Sequence, residues 1–303
     1  MGVHAAILEV LNAPVMIVAF VLTLVLIGVA TYLYQLLCKT GEFFEANGVR
    51  LHYVQAGKGT PVILVHGLAF NHAAEWKLPR VFQRLSKRYC VIAFDNRGHG
   101  KSDKPYDPSQ YGLELVEDVV RLMDHLAIAK AHVVGYSLGG FITLRLALSH
   151  PERLLSAAPC GAGWTANPAE ELKLLYTLSE DLEQGRGITA LLKWLQMPGK
   201  ALPFPVLWFG NFVTCAFNNV KALSCLLRNA PALLPSESEV RANIVPCLTI
   251  VGANDRMRGF AEQMAGVMPN LELVVVPGCD HHTTPMNRKT VHALMAFLDR
   301  HTP

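Results

Sequence analysis

The sequence predicts an α/β fold built on a mostly parallel sheet, and three observations carry that expectation. Short, mainly apolar runs recur at 62–65, 90–94, 131–135, 154–159, 247–251 and 271–276. Runs without alternation suit strands buried on both faces of a parallel sheet. Segments with helical spacing of apolar residues separate them, and strand–helix alternation implies helices on both sheet faces. Finally, a glycine-flanked serine follows one of these runs and opens a helix.

Taken in order, residues 42–55 alternate well enough for two strands, with Asn47-Gly48 as the hairpin turn. Residues 57–61 read as a turn before the first buried strand. A helix is expected over 75–87 and another over 113–126, with Leu113, Val116, Val120 and Met123 on one side. Residues 139–149 form a helix ended by His150-Pro151, because a residue before proline avoids the helical region. Residues 164–243 break the rhythm. They are rich in Leu, Phe, Trp and Pro and read as several helices. They fall between the sixth and seventh main strands and are expected to form a cap over the site within a catalytic domain of 41–303.

The N-terminal forty residues read differently. Residues 13–37 carry no charge. As a helix they would extend about 37 Å, against a bilayer core of about 30 Å. Asn12 and Pro14 suit a helix start, and Tyr32 and Tyr34 an interfacial belt. Residues 1–40 are therefore expected to be a transmembrane anchor. Lys39 and Arg50, on its C-terminal side, would put the catalytic domain on the cytoplasmic face. Anchored copies could pair as a homodimer.

Composition narrows the function classes. The chain has 303 residues, 51% hydrophobic and 17% charged, with a formal net charge of +3. No Lys/Arg run marks a nucleic-acid face. Cys38, Cys90, Cys160, Cys215, Cys225, Cys247 and Cys279 are scattered without metal-ligand spacing, so they read as buried small hydrophobes.

The chemistry is carried by Gly135-Tyr136-Ser137-Leu138-Gly139, a G-x-S-x-G pentapeptide between a strand and a helix. That context is what a nucleophile elbow requires. Serine needs a base, and the base an orienting carboxylate. Asp255 follows the strand ending at Val251, and His281 follows the next, in the chain order such sites use. His282 is the rival base. Asp280, adjacent to His281, is expected to serve its loop. The oxyanion donors are expected to be the backbone N–H groups of Leu68 and Leu138, with Gly67 permitting close approach. His66 reads as structural. The loop from Asp95 to Ser102 (Asp95-Asn96-Arg97-Gly98-His99-Gly100-Lys101-Ser102) lacks phosphate-loop spacing. Asp95 and Arg97 are expected to tie strand ends together.

Together, His66-Gly67, the loop 95–102, the pentapeptide, 252–255 and 277–281 make the sequence resemble the α/β-hydrolase superfamily, in its branch of small esterases, lipases and C–C hydrolases. The resemblance spans about 43–301, with the cap matching poorly. It implies an eight-stranded sheet, a Ser-His-Asp triad and no cofactor. Superfamily members that open epoxides or dehalogenate use an Asp nucleophile, where this chain has Ser137.

The cap carries Phe204, Leu207, Trp208, Phe209, Phe212 and Phe217. With Trp164 and Trp194 these are expected to line an acyl pocket, dip into the membrane interface, or pack onto the core. The expected activity is hydrolysis of esters with hydrophobic acyl chains, such as monoacylglycerol or lysophospholipid, through an acyl-enzyme. The alternative is a C–C hydrolase, thioesterase or cofactor-free perhydrolase on the same triad, for which Arg186, Lys193 and Arg228 would be the carboxylate binders. A ligand-binding member without catalysis is the remaining class.

Overall fold

A computed structural model describes residues 41–196 and 203–303. Strands β1 (Glu42–Ala46) and β2 (Val49–Ala56) form an antiparallel hairpin, closing at Ala46 opposite Val49. Asn47 and Gly48 take φ of 53° and 78°, the pair of positive values that a two-residue type I′ turn needs. Strands β3 (Pro61–Val65), β4 (Cys90–Phe94), β5 (Ala131–Tyr136), β6 (Leu154–Cys160), β7 (Cys247–Gly252) and β8 (Leu271–Val276) complete an eight-stranded sheet. Its order is β1-β2-β4-β3-β5-β6-β7-β8, parallel from β4 onward.

The period of two decides which core each strand residue enters. Ile63, Val65, Ile92 and Phe94 face one core. Val62, Leu64, Val91 and Ala93 face the other. Helix α1 (Val81–Leu85) covers the second face; α2 (Glu114–His125) and α3 (Leu138–Ser149) cover the first. The helix expected over 75–87 is broken. A π-helical turn, Ala73–Lys77, precedes it, and Arg80 takes φ 66° before α1. Pro79 accounts for the interruption, since it offers no N–H to continue a helix. The apolar stripe of α2 is also rotated from the expected one. Leu115, Val116, Val119, Leu122 and Met123 are buried, whereas Leu113 stands before the helix and is 50% exposed.

Between β6 and β7 the chain forms α4 (Ala169–Glu183), α5 (Thr189–Trp194), α6 (Phe204–Phe217), α7 (Val220–Asn229) and the short α8 (Glu237–Arg241). Leu178, Leu182, Ile188, Leu223 and Leu227 give this insertion a small core of its own. Asn219 caps α7, and Ser236 with Glu239 forms a capping box on α8. Helices α9 (Arg258–Val267) and α10 (Arg288–Arg300) follow β7 and β8. Val291, Leu294, Phe297 and Leu298 of α10 pack beside α1 on the second face.

The membrane expectation needs correction. No helix among the described residues is long and apolar enough to cross a membrane. The longest element among the described residues, α4, has 15 residues, about 22 Å against a hydrocarbon core of about 30 Å. The anchor expected over 1–40 and its span 13–37 lie outside the described residues. Membrane localisation, a cytoplasm-facing domain and a dimer of anchored copies all lose their basis with it.

Candidate active site

The chain leaves β3 toward β4 on one side and returns to β5 on the other. That reversal opens a crevice at the carboxyl ends of β3 and β5, where open α/β sheets bind ligands. Ser137 sits there, directly after β5, with φ 54° and ψ −117°. The strain is held by its surroundings. The Ser137 N–H donates to the Cys160 carbonyl at 3.0 Å. A Cβ on Gly135 would come within 1.9 Å of the Gly139 carbonyl oxygen, and one on Gly139 within 2.1 Å of the Val65 oxygen. Only glycine fits either position, so the spacing of the pentapeptide follows from the turn. The N-terminus of α3 begins at Leu138 and lends the serine the positive end of its dipole.

Asp255 and His281 come from the loops after β7 and β8. The His281 Nδ1 lies 2.9 Å from Asp255 Oδ2, and the Asp255 side chain is fully buried. The other carboxylate oxygen accepts the Met257 N–H at 2.8 Å, so the acid is held at both ends. The Tyr136 hydroxyl donates to the His281 carbonyl at 2.6 Å. His281 and Ser137 line one cavity. His282 lines it too, but its ring stands nearly perpendicular to that of His281, and the Asp255 contact goes to His281. Asp280 spends its Oδ1 on the N–H groups of His282 and Thr283 and on the Thr283 hydroxyl.

Leu68 follows β3 and faces the same cavity as Leu138. The loop around Leu68 is fixed by histidines. His66 receives the Asn96 N–H on Nε2 at 3.0 Å, so its proton sits on Nδ1 and is donated to the Gly67 carbonyl at 2.8 Å. Burial pushes the His66 imidazole down to about 4, keeping it neutral. His99 Nε2 accepts the Ala69 N–H at 3.2 Å. Glu75 is a residue that sequence reasoning passed over. It is buried beside this loop, and its Oε2 accepts the Gly67 N–H at 3.4 Å. Its position before Trp76 in an expected helix carried no signal of a site.

Asp95 is the hub of the next loop. His52 and His72 approach its two oxygens through Nδ1 at 3.1 and 2.8 Å, and the N–H groups of His72 and Lys101 each donate at 3.0 Å. These three side chains could in principle hold a cation. Four donors, however, occupy the lone-pair sites a carboxylate offers, so the cluster fits a hydrogen-bonded hub and not a metal site. Arg97 is fully buried on Asp118, at 2.5 and 2.7 Å.

The cavity over Ser137 has a volume of about 600 Å³ and is walled chiefly by Leu, Phe, Trp and Val. Helices α4 to α7 contribute to it, including Leu174, Leu191, Phe209 and Leu227. Of the expected aromatic residues, Trp164, Trp194 and Phe209 line it. Phe204, Trp208, Phe212 and Phe217 are exposed on the outer side of α6 instead. Its walls include Glu75 and Glu171 but neither Lys nor Arg among the described residues. Arg186 pairs with Asp181 and Arg228 with Glu183, away from the cavity.

Comparison with known proteins matches residues 60–284 to the α/β hydrolase fold family. The chain is 31% identical over 280 residues to the 2-hydroxy-6-oxononadienedioate/2-hydroxy-6-oxononatrienedioate hydrolase of Comamonas testosteroni, covering 84% of this chain and 96% of that one. It is 28% identical over 267 residues to the putative carbamate hydrolase RutD of Caulobacter vibrioides, covering 82% and 95%. A crystal structure of a bacterial membrane phospholipase A shares the fold with a TM-score of 0.66, at 23% identity and 99% coverage of both chains.

Proposed function

Since the chain belongs to the α/β-hydrolase fold family, we propose that this hydrolase cleaves carboxylic esters with hydrophobic acyl groups, using Ser137, His281 and Asp255 as its triad. Residues 164–243 serve as the cap that walls the acyl site. The observation that carries the reading is the cavity: about 600 Å³, chiefly apolar, with two carboxylic acids and, among the described residues, neither Lys nor Arg in its walls. Such a site accepts a neutral chain and disfavours an anion, because a carboxylate buried there would lack a partner.

In this reading Ser137 Oγ attacks the ester carbonyl while His281 Nε2 takes its proton. Asp255 holds the imidazole through Nδ1 and stabilises the imidazolium. The oxyanion is received by the N–H groups of Leu68 and Leu138. The alcohol leaves with the proton from His281, and water activated by the same imidazole releases the acid.

The second reading is a C–C bond hydrolase, favoured by the likeness to the 2-hydroxy-6-oxononadienedioate hydrolase. The named relatives lean toward it. A dioate substrate calls for cationic side chains in the cavity, and that is where the two readings part. The test is hydrolysis of p-nitrophenyl esters from acetyl to palmitoyl, beside a meta-cleavage dienoate, by wild type and Ser137→Ala. Cleavage of medium or long esters, lost in the variant, supports the first reading. Turnover of the dienoate alone supports the second.

A further inference from the structure

Glu75 is an acid that the triad does not use. It lies on the π-helical turn Ala73–Lys77, is 6% exposed, and stands in the cavity wall with Ser137 and His281. π-Helical turns recur at functional sites. The Glu75 Oε2 accepts the N–H of Gly67, the residue before Leu68. A Cβ built on Gly67 would lie 3.2 Å from that oxygen and 3.3 Å from the Ser137 Cβ. Carboxyl and serine therefore both border the space that a side chain at Gly67 would take.

The titratable groups around it are few. His281 faces it from the loop after β8, and Tyr136 from the end of β5. Lys77, on its own turn, holds its ammonium over the Phe82 ring. Asp255 is engaged with His281. Among the described residues, no Lys or Arg stands in the cavity wall to neutralise a charged Glu75.

We propose that Glu75 is a positioning residue of the site, which as the neutral acid props the Gly67–Leu68 backbone and as the carboxylate shuts the site down. This rests on Ser137 and the Leu68 N–H acting as proposed above. Ionisation sends the Glu75 proton to solvent and leaves one negative charge beside the peptide that must receive an oxyanion. That charge also favours the imidazolium of His281. The contact is nevertheless with the oxyanion loop, while the imidazolium already has Asp255 at 2.9 Å, so the repulsion dominates. Burial raises the Glu75 carboxyl to about 7, against the lowering effects of the Gly67 N–H and of His281. The change of charge thus falls where enzymes work.

The experiment is the rate at which a fluorophosphonate labels the full chain between pH 5.5 and 9.5, for wild type and Glu75→Gln. The amide keeps an acceptor for Gly67 and cannot ionise. Wild type is expected to lose about tenfold in rate as pH rises through the region of 7, a fraction of what removal of one oxyanion donor costs. The variant is expected to hold its rate to pH 9. A falling limb that persists in Glu75→Gln overturns the proposal. So does a wild-type profile with no falling limb, a readout that needs no variant to fold. The phosphonate reports a reactive serine whatever bond the enzyme cleaves. Failure of every ester in the chain-length series would therefore sink the ester reading and leave this result standing.

Discussion

The Tyr136 hydroxyl donates to the backbone carbonyl of His281 at 2.6 Å, across 145 positions of sequence. The residue just before the proposed nucleophile thus holds the loop of the proposed base. Its ring also packs against the imidazole, with centroids 5.2 Å apart. Tyr136→Phe keeps the ring and removes the donor. It is expected to lower kcat about tenfold to a hundredfold with KM little changed, because a small displacement of the base acts on the chemical step. Equal losses in kcat and 1/KM would contradict a positioning role.

Asp255→Asn is expected to reduce kcat about 10³- to 10⁴-fold while leaving the fold intact, since the amide disturbs the tautomer and orientation of His281. Circular dichroism and thermal unfolding check the fold, and steady-state kinetics the rate. Activity within tenfold of wild type would remove Asp255 from the triad.

Stability should fall on acidification. Burial drives the His66 imidazole down to about 4 and that of His99 to about 3. Both bind protons more readily unfolded, near 6.5, than folded. Their contribution is full above 6.5 and is lost as pH falls toward the folded values. Each amounts to on the order of 3 to 5 kcal/mol. Glu75 works oppositely: raised to about 7, it stabilises below its unfolded value and loses that contribution as pH rises through 7. Two histidines outweigh one acid, so Tm is expected to drop by several degrees between pH 7 and 4.5. A constant or rising Tm over that range would count against neutral, buried imidazoles.

Narrowing the cavity should change chain-length preference. Leu174 lines the wall and is half-buried. Leu174→Trp is expected to lower kcat/KM for palmitoyl esters by about tenfold or more, since each misfit methylene costs about 1–3 kcal/mol. Acetyl esters should be nearly unaffected. A uniform loss across the series would mean that acyl chains do not occupy this wall.

Much of the scaffold was legible because its causes are local. Parallel strands announce themselves as mainly apolar runs without alternation, and β4 and β8 fall on the runs read from the sequence. Asn47-Gly48 turns the hairpin because two positive φ values are needed there. The helix over 75–87 was misjudged because Pro79 and the positive φ of Arg80 outweighed its apolar spacing. The membrane reading came from composition in residues outside the described part of the chain, and nothing in the described helices continues it.

What the sequence determined by itself was the order of strands and helices and the glycine-framed turn that carries Ser137. Each depends on the few residues around it: an apolar run, a cap, a φ value only glycine tolerates. Tertiary structure decided which distant groups meet. It chose which face of α2 is buried, turned Phe204 and Trp208 outward while Phe209 lines the cavity, and brought Asp255 onto His281. It also buried Glu75 beside Gly67, in a wall that holds neither Lys nor Arg among the described residues. Those outcomes arise where surfaces from separate elements exclude water together, and no short window of sequence contains both surfaces.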